Sequence, residues 1–452
     1  MSPLKSILLS AFCVASCAVV HAEAGKLSFD GCRLPAIAVD VPSSTGLTQL
    51  YVLAYTEGVT ISYEVYESGQ TVTWQRFSSM GGAYSQDVAS TQSGNVSTLT
   101  TTEGNVGYIV TELPSGKSRY FWITDHSAYP FHFNDLTLDT EQTDCSTVWL
   151  EVDGGGERIP YYSITGVPQW LSRGYELTYS TLEFDESAYT WNQASTTVNI
   201  DGVSNELIHC TPALCSTSYT LSGDRFMKEW GEAQTIESPS YDPTAVDAHA
   251  RAVQQQREVD NEIKVESELG GSGPSEIHFE AAVTDAALYH EWEMARDAEF
   301  DQIFMRFNDL DFDYTFREQG TTYVRLLCAN DAGGCEWESE TFQIFIGESE
   351  LKCPNAFSPG VSEGVNDEWK VSYKSIISFD CHIFDRNGRE LAHLTDPSQG
   401  WDGKRGGRTV GPGVYFYVIK AEGADGKKYK LSGDINVVGY KRNTTTTTSP
   451  TD

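Results

Sequence analysis

Two Asx-Gly dipeptides constrain the C-terminal part of this chain more than any other feature. Asn387-Gly388 separates Cys381–Asp385 from Glu390–Leu394, and Asp425-Gly426 separates Tyr415–Ala421 from Lys428–Leu431. Each favours the positive φ angles of a type I′ turn, so each predicts a β-hairpin. Phe379, Cys381 and Ile383 alternate with Asp380 and His382, the period of a half-buried strand. Val414 to Ile419 is apolar throughout, which predicts a central strand covered on both faces. Trp401, held between Gly400 and Asp402-Gly403, predicts a core plug at a tight turn. A small antiparallel sandwich of roughly seven strands accommodates all of these, an immunoglobulin-like pattern.

The same region carries an ordered set of short motifs. Pro354, Asn355, Phe357 and Pro359 stand in Cys-Pro-Asn-Ala-Phe-Ser-Pro, followed by Asn366-Asp367. Phe384 and Gly388 lie in the first hairpin, then come Trp401, Asp402 and Gly403, then Gly413 and Tyr415. In this order they resemble the type B C-terminal sorting domain of the type IX secretion system of Bacteroidetes, also called the gliding-motility-associated C-terminal domain. The resemblance implies recognition by the type IX machinery, with a dedicated outer-membrane partner protein of type B cargo, and export to the cell surface or beyond. The chain departs from the family in one loop. Where the family carries Asn-Gly-Asp-Gly-x-Asn-Asp, this sequence reads Gly360-Val-Ser-Glu-Gly-Val-Asn-Asp367. An oxygen-rich loop can bind calcium, but with Glu363 in place of the aspartate and one extra residue, a structural turn is expected and no metal.

The N-terminal end is consistent with export. Residues 1–22 combine Lys5, an apolar run from Ile7 to Val20 and a Val-His-Ala cleavage motif, the pattern of a secretory signal. A lipoprotein reading at Cys17 is weaker, because the apolar run continues past it. No later segment approaches the roughly 20 apolar residues of a membrane helix, so no membrane insertion is expected. Residues 441–452 form a threonine-rich tail expected to be disordered.

Between these ends lies a passenger of all-β composition, rich in Tyr, Phe, Trp, Thr, Val and Gly. Residues 23–143 predict one β-sandwich, with strands at Gln49–Tyr55, Val59–Tyr66, Thr71–Phe77, Gly107–Leu113 and Ser118–Thr124. Residues 144–240 predict a second, with turns at Asp153-Gly and Asp201-Gly. Residues 241–274 break the pattern. Thr244 can cap a helix, and Val246, Ala250 and Val253 recur at helical spacing, so a short helical or flexible connector is predicted. Residues 275–349 resemble a PKD or related immunoglobulin-like repeat, with Ile277, Phe279 and Ala281 facing inward, and the sorting domain follows over 350–440. The fold class is therefore all-β, a string of about four immunoglobulin-like sandwiches with one helical connector.

Charge and cysteine usage narrow the function. The net charge is −33, yet from Lys352 onward there are 14 basic and 12 acidic residues, so the acidity belongs to the passenger. That field disfavours nucleic acid and anionic lipid. Beyond the signal there are eight cysteines, an even number that in an exported protein favours disulfides over metal. Sequence does not fix their connectivity. Proximity suggests Cys210 with Cys215, Cys328 with Cys335, and Cys353 with Cys381, leaving Cys32 with Cys145. No C-x-x-C or H-x-x-x-H cluster indicates zinc. No H-E-x-x-H, G-x-S-x-G or phosphate-cradling glycine loop is present, and with 64 carboxylates no acid–base pair stands out. No catalytic residue, cofactor or metal ligand is therefore assigned. The reading is a non-enzymatic surface or secreted protein that binds a protein or glycan. The alternatives are a component of the secretion or gliding machinery, and a hydrolase with an unrecognised carboxylate site.

Overall fold

The computed structural model describes residues 25–201, 207–331, 333–361 and 364–439. The expected signal sequence, the threonine tail and Glu363 lie outside these residues. The described chain is almost entirely β, and its strands assemble into immunoglobulin-like sandwiches. Among the described residues there are two compact units, one of residues 25–181 with 195–201, 207–211 and 216–241, the other of residues 182–194 with 212–215 and those from 242 onward.

The first unit begins with two facing sheets. One orders its strands Leu27–Asp30, Thr60–Glu64, Val96–Leu99 and Ser90–Ser93. The other runs Ile37–Val39, Gln49–Leu53, Lys117–Asp125, Val106–Leu113, Thr71–Phe77 and Gln86–Val88. Period-2 alternation explains the packing. Tyr51 and Leu53 point into a core with Ile61, Tyr63, Trp74 and Phe121. Leu50 and Val52 point the other way, into a second core with Phe77, Trp122, Ile159, Tyr161 and Phe226. The larger sheet is thus buried on both faces, and its second face packs against Ile159, Tyr161 and Phe226 of the sandwich that follows. The second sandwich sets Phe131–Asp139, Val148–Gly156 and Leu207–Cys210 beside a sheet containing Thr190–Ile200, Tyr175–Asp185, Thr220–Gly223 and Gln234–Glu237.

A charged cluster is buried in this unit. The Asp224 carboxylate accepts from Arg173 Nε at 2.6 Å and lies 2.9 Å from His126 Nε2. Its other oxygen caps the short helix Arg225–Glu229 by accepting from Met227 N. Arg173 also donates to the carbonyls of Glu157 and Tyr129. Burial opposes ionisation of Asp224, but its hydrogen bond and charge pairing with His126, the Met227 amide and the Arg173 charge together hold its pKa below the ordinary value.

In the second unit, Ala248–Gln254, Ser275–Val283 and Phe312–Phe316 form one sheet. It faces a larger one built on Gly320–Ala329, across a core of Phe279, Trp292, Val324, Leu326 and Ile344. Asp309, Asp311 and Asp313 are exposed while Phe312 and Tyr314 pack inward. Residues 182–194 belong to this unit. Phe184 stacks on His249 at 3.7 Å, Trp191 Nε1 donates to the Ala282 carbonyl, and Arg251 lies over the Tyr189 ring.

Two expectations are corrected here. The predicted helix in 241–274 is instead a strand, Ala248–Gln254, paired antiparallel with Ser275–Val283. Helix propensity gives way to tertiary packing: Ala248, Ala250 and Ala252 alternate inward onto the core, whereas Val253, on the predicted helical face, is exposed. The cysteine pairing also differs. Cys335 is disulfide-bonded, so it is not the partner of the free thiol Cys328; Cys145 is likewise disulfide-bonded, whereas its expected partner Cys32 is a free thiol, as are Cys210, Cys215, Cys353 and Cys381. Closeness in sequence does not align Cβ vectors as a disulfide requires. Cys328 sits opposite Trp337 in the ladder and Cys335 bonds back to Asn330, so these two cysteines occupy offset positions.

Candidate functional site on the C-terminal sheet

The C-terminal domain is built on five strands: β1 (Ala356–Phe357), β2 (Ile376–Phe384), β3 (Glu390–Leu394), β4 (Gly413–Gly423) and β5 (Lys428–Val437). They lie side by side in the order β1-β5-β4-β2-β3, with β1 parallel to β5 and the rest antiparallel. Small pairs at Glu350–Lys352 with Ser372–Lys374, and at Lys404–Arg405 with Arg408–Thr409, complete the domain. It has a core of its own, formed by Phe357, Trp369, Phe379, Cys381, Ile383, Trp401, Ile419 and Ile435 among others. Residues 259–263 lie against it, with Asn261 Nδ2 donating to the carbonyls of Val371 and Pro397.

Most motif residues identified in the sequence hold this domain closed. The Pro354 carbonyl accepts from Trp369 Nε1, and the Asn355 carbonyl accepts from Asn436. Phe357 is buried against Trp401, whose other neighbour is Tyr415, and Tyr415 Oη donates to Gly411. Asp402 accepts from both the backbone and the side chain of Lys404. Gly403 has φ +68°, and a Cβ there would meet Pro359 at 3.0 Å and Phe357 at 3.2 Å, so the tight turn beside Trp401 requires glycine. Asp367 ties its loop internally, its two oxygens accepting from the amides of Gly360 and Gly364, with Asn366 in the left-handed region.

The hairpin turns differ in type from the expectation. In Asn387-Gly388 and Asp425-Gly426 the glycine alone has positive φ, with Gly388 N donating to Asp385 O and Gly426 N to Gly423 O. These are longer loops closed by a left-handed glycine, and the first introduces a register shift between Ile383 and Phe384. The Asp385 side chain accepts from the Asn387 and Arg389 amides and so satisfies the turn.

The second face of β4 is also not as expected. Tyr415, Tyr417 and Ile419 turn toward the core, but Val414, Phe416 and Val418 are 48%, 43% and 42% exposed. A continuous apolar run predicts double coverage, yet here the outer face is open among the described residues. Phe416 pairs with Phe384 and Val418 with His382 across the ladder, so an apolar strip borders a polar cluster.

That cluster went unassigned from the sequence. Asp380 and His382 project from the outer face of β2, and His393 stands directly opposite His382 on β3. The two imidazoles stack at 4.1 Å with 7° between planes. Asp380 Oδ1 lies 2.6 Å from His393 Nε2 and 3.4 Å from His382 Nε2, while Glu390 Oε1 lies 3.3 Å from His382 Nδ1. Hydrogen bonding to His393 holds the Asp380 carboxyl below its ordinary pKa. No contiguous motif marks this group. The signal was the hairpin: closing it on Asn387-Gly388 brings position 382 opposite 393. Beneath the sheet, the half-buried Cys353 and the buried Cys381 are neighbouring thiols rather than a disulfide, and burial pushes the Cys381 pKa up to about 12.

Comparison with known proteins assigns two segments. Residues 137–238 match the model of a fibronectin type III domain, Fn3_FA. Residues 351–437 match the model of the CHU_C type IX secretion signal domain. Among solved structures the chain is similar to a tetra-tandem repeat in the extending region of a large adhesion protein, at 14% identity. That match covers 85% of this chain and 97% of the other, with a TM-score of 0.20. It is also similar to dimeric latent PorU from Porphyromonas gingivalis, at 10% identity over 71% of this chain and 35% of the other, with a TM-score of 0.15. No curated protein matches.

Proposed function

We propose that this chain, which carries a type IX secretion signal domain behind a fibronectin type III-like domain and is thereby exported to the cell surface or extracellular space, is a non-enzymatic binding or adhesion protein. The observation that carries the reading is the organisation of residues 351–437. They form a sheet domain on their own core, whose motif residues serve closure of that domain rather than chemistry on a substrate. The passenger supplies sandwich modules with loops at their ends, a scaffold suited to recognition of a protein or glycan. Handling by the type IX machinery follows from the signal domain. A dedicated outer-membrane partner is part of the proposal.

The test is removal of residues 353–452 in a cell that secretes the full chain. Periplasmic retention, detected by fractionation and surface proteolysis, is the expected result, whereas unchanged surface exposure would overturn the export route. Binding of the secreted full chain to immobilised glycans or surface proteins, without turnover of either, supports the non-enzymatic part. Turnover of polysaccharide or peptide would replace it with the hydrolase reading, and impaired export of other cargo in a deletion strain would favour a machinery component.

A further inference from the structure

We infer that Asp380, His382 and His393 form a zinc site on the outer face of the signal domain. Two imidazoles and one carboxylate offer three ligand atoms, all within 4.8 Å of one another. That donor set suits Zn²⁺, which takes nitrogen at 2.0–2.1 Å and oxygen at 2.0–2.2 Å in tetrahedral geometry. Tetrahedral bonds of that length set ligand atoms about 3.3–3.4 Å apart. The distance between His382 Nε2 and Asp380 Oδ1 is already 3.4 Å. The one between His393 Nε2 and Asp380 Oδ1 is 2.6 Å, so it opens by less than an ångström when the ion replaces the hydrogen bond.

The surroundings are those of a ligated histidine. A histidine that binds a metal through one ring nitrogen characteristically donates from the other to a carboxylate, which fixes its tautomer and orientation. Glu390 Oε1 stands in that position for His382, 3.3 Å from Nδ1. The backbone is equally suited. His382 and His393 are direct cross-strand partners on two paired strands, and Asp380 is two residues along on the same face, so the backbone need not move; only the two imidazoles, stacked with 7° between planes, turn about their side-chain torsions to aim at one ion. Lys420, the ladder partner of Asp380, carries the same sign of charge as the ion, but it is solvent-exposed and screened. The three protein ligands leave a fourth position facing outward, as in sites where zinc keeps a water or a ligand from another molecule.

Competition between the full chain and a chromophoric zinc chelator, after treatment with EDTA and dialysis, tests this. One equivalent of Zn²⁺ taken up by the wild type, and lost in His382→Ala and in His393→Ala, is the expected result. Asp380→Asn, which keeps the shape of the side chain, should also lose it. Glu390→Gln should retain the stoichiometry with affinity weakened ~10–100-fold, the usual effect of removing such an orienting group. Far-UV circular dichroism in EDTA verifies that each variant keeps its strands. Absence of uptake by the wild type, or unchanged stoichiometry in the His382→Ala/His393→Ala double variant, overturns the site. Full affinity in Glu390→Gln overturns the role given to Glu390.

Discussion

Trp401 shows how one side chain can close a domain. It is 2% exposed, packs between Phe357 and Tyr415, and donates from Nε1 to the Lys404 carbonyl. Its backbone exchanges both hydrogen bonds with Trp369. Trp401→Ala should therefore cost ~3–5 kcal/mol through lost burial and the cavity left behind. Urea unfolding followed by a probe in the C-terminal domain measures it, and a loss under about 1 kcal/mol would contradict the packing described. Asp224 is the corresponding residue of the first unit, fully buried with Arg173 and His126. Its pKa is depressed, so its contribution is present above the unfolded carboxylate value of about 3.9 and is lost as pH falls through the folded value. Asp224→Asn should lose ~3–5 kcal/mol at pH 7, because it leaves Arg173 buried without its counter-charge. In melting temperatures measured from pH 7 to pH 3, the variant should decline less steeply than the wild type below about pH 4. The two residues differed in legibility. Trp401 was marked by the glycines beside it, whereas the partners of Asp224 lie 51 and 98 residues away and no local pattern joins them.

At the scale of strands, the alternation of apolar residues was a better guide than propensity. The inward Ile277, Phe279 and Ala281 and the outward Asp380 and His382 were legible because a half-buried strand imposes period two on its own sequence. Two elements were not. Val414 to Val418 reads as doubly covered, but nothing local to a strand says whether a second layer exists over it. Residues 243–258 read as a helix, because alanine and glutamine favour one wherever no sheet edge competes. Here the edge of Ser275–Val283 does compete, and Ala248–Gln254 pairs with it over seven positions. The two conformations make opposite predictions for Val253. In a helix it shares the apolar face with Val246 and Ala250, so Val253→Asp would be severe. In the strand it is 46% exposed and the substitution should stay within about 0.5 kcal/mol of wild type. Ala248→Asp, by contrast, places a charge against Phe279 and Trp292 and should destabilise by several kcal/mol. Parallel thermal melts of the two variants decide between the conformations.

For the molecule as a whole the uneven charge sets the response to solvent. The signal domain from Lys352 onward carries +2, so a chain of net −33 concentrates −35 in residues 1–351. Of the 64 acidic residues 52 lie there, against 17 of the 31 basic ones, so two acids in three have no base to pair with. The ion pairs that do form, such as Arg76 with Glu103 and Arg296 with Glu318, are largely exposed, and exposed pairs contribute only about 0–1 kcal/mol. Repulsion among the unpaired carboxylates therefore outweighs them, and it acts over the ~30 Å Debye length of 0.01 M salt. Raising sodium chloride from 10 to about 300 mM shortens that range to roughly 6 Å, and should raise the melting temperature of the passenger while leaving that of the signal domain nearly unchanged. Scanning calorimetry of the full chain at the two salt concentrations measures both. Chloride is preferred to sulfate, because sulfate strengthens apolar burial and would raise the midpoint whatever the charge. A passenger midpoint that falls with salt would mean that attraction between its few bases and the surrounding acids outweighs the repulsion among the rest.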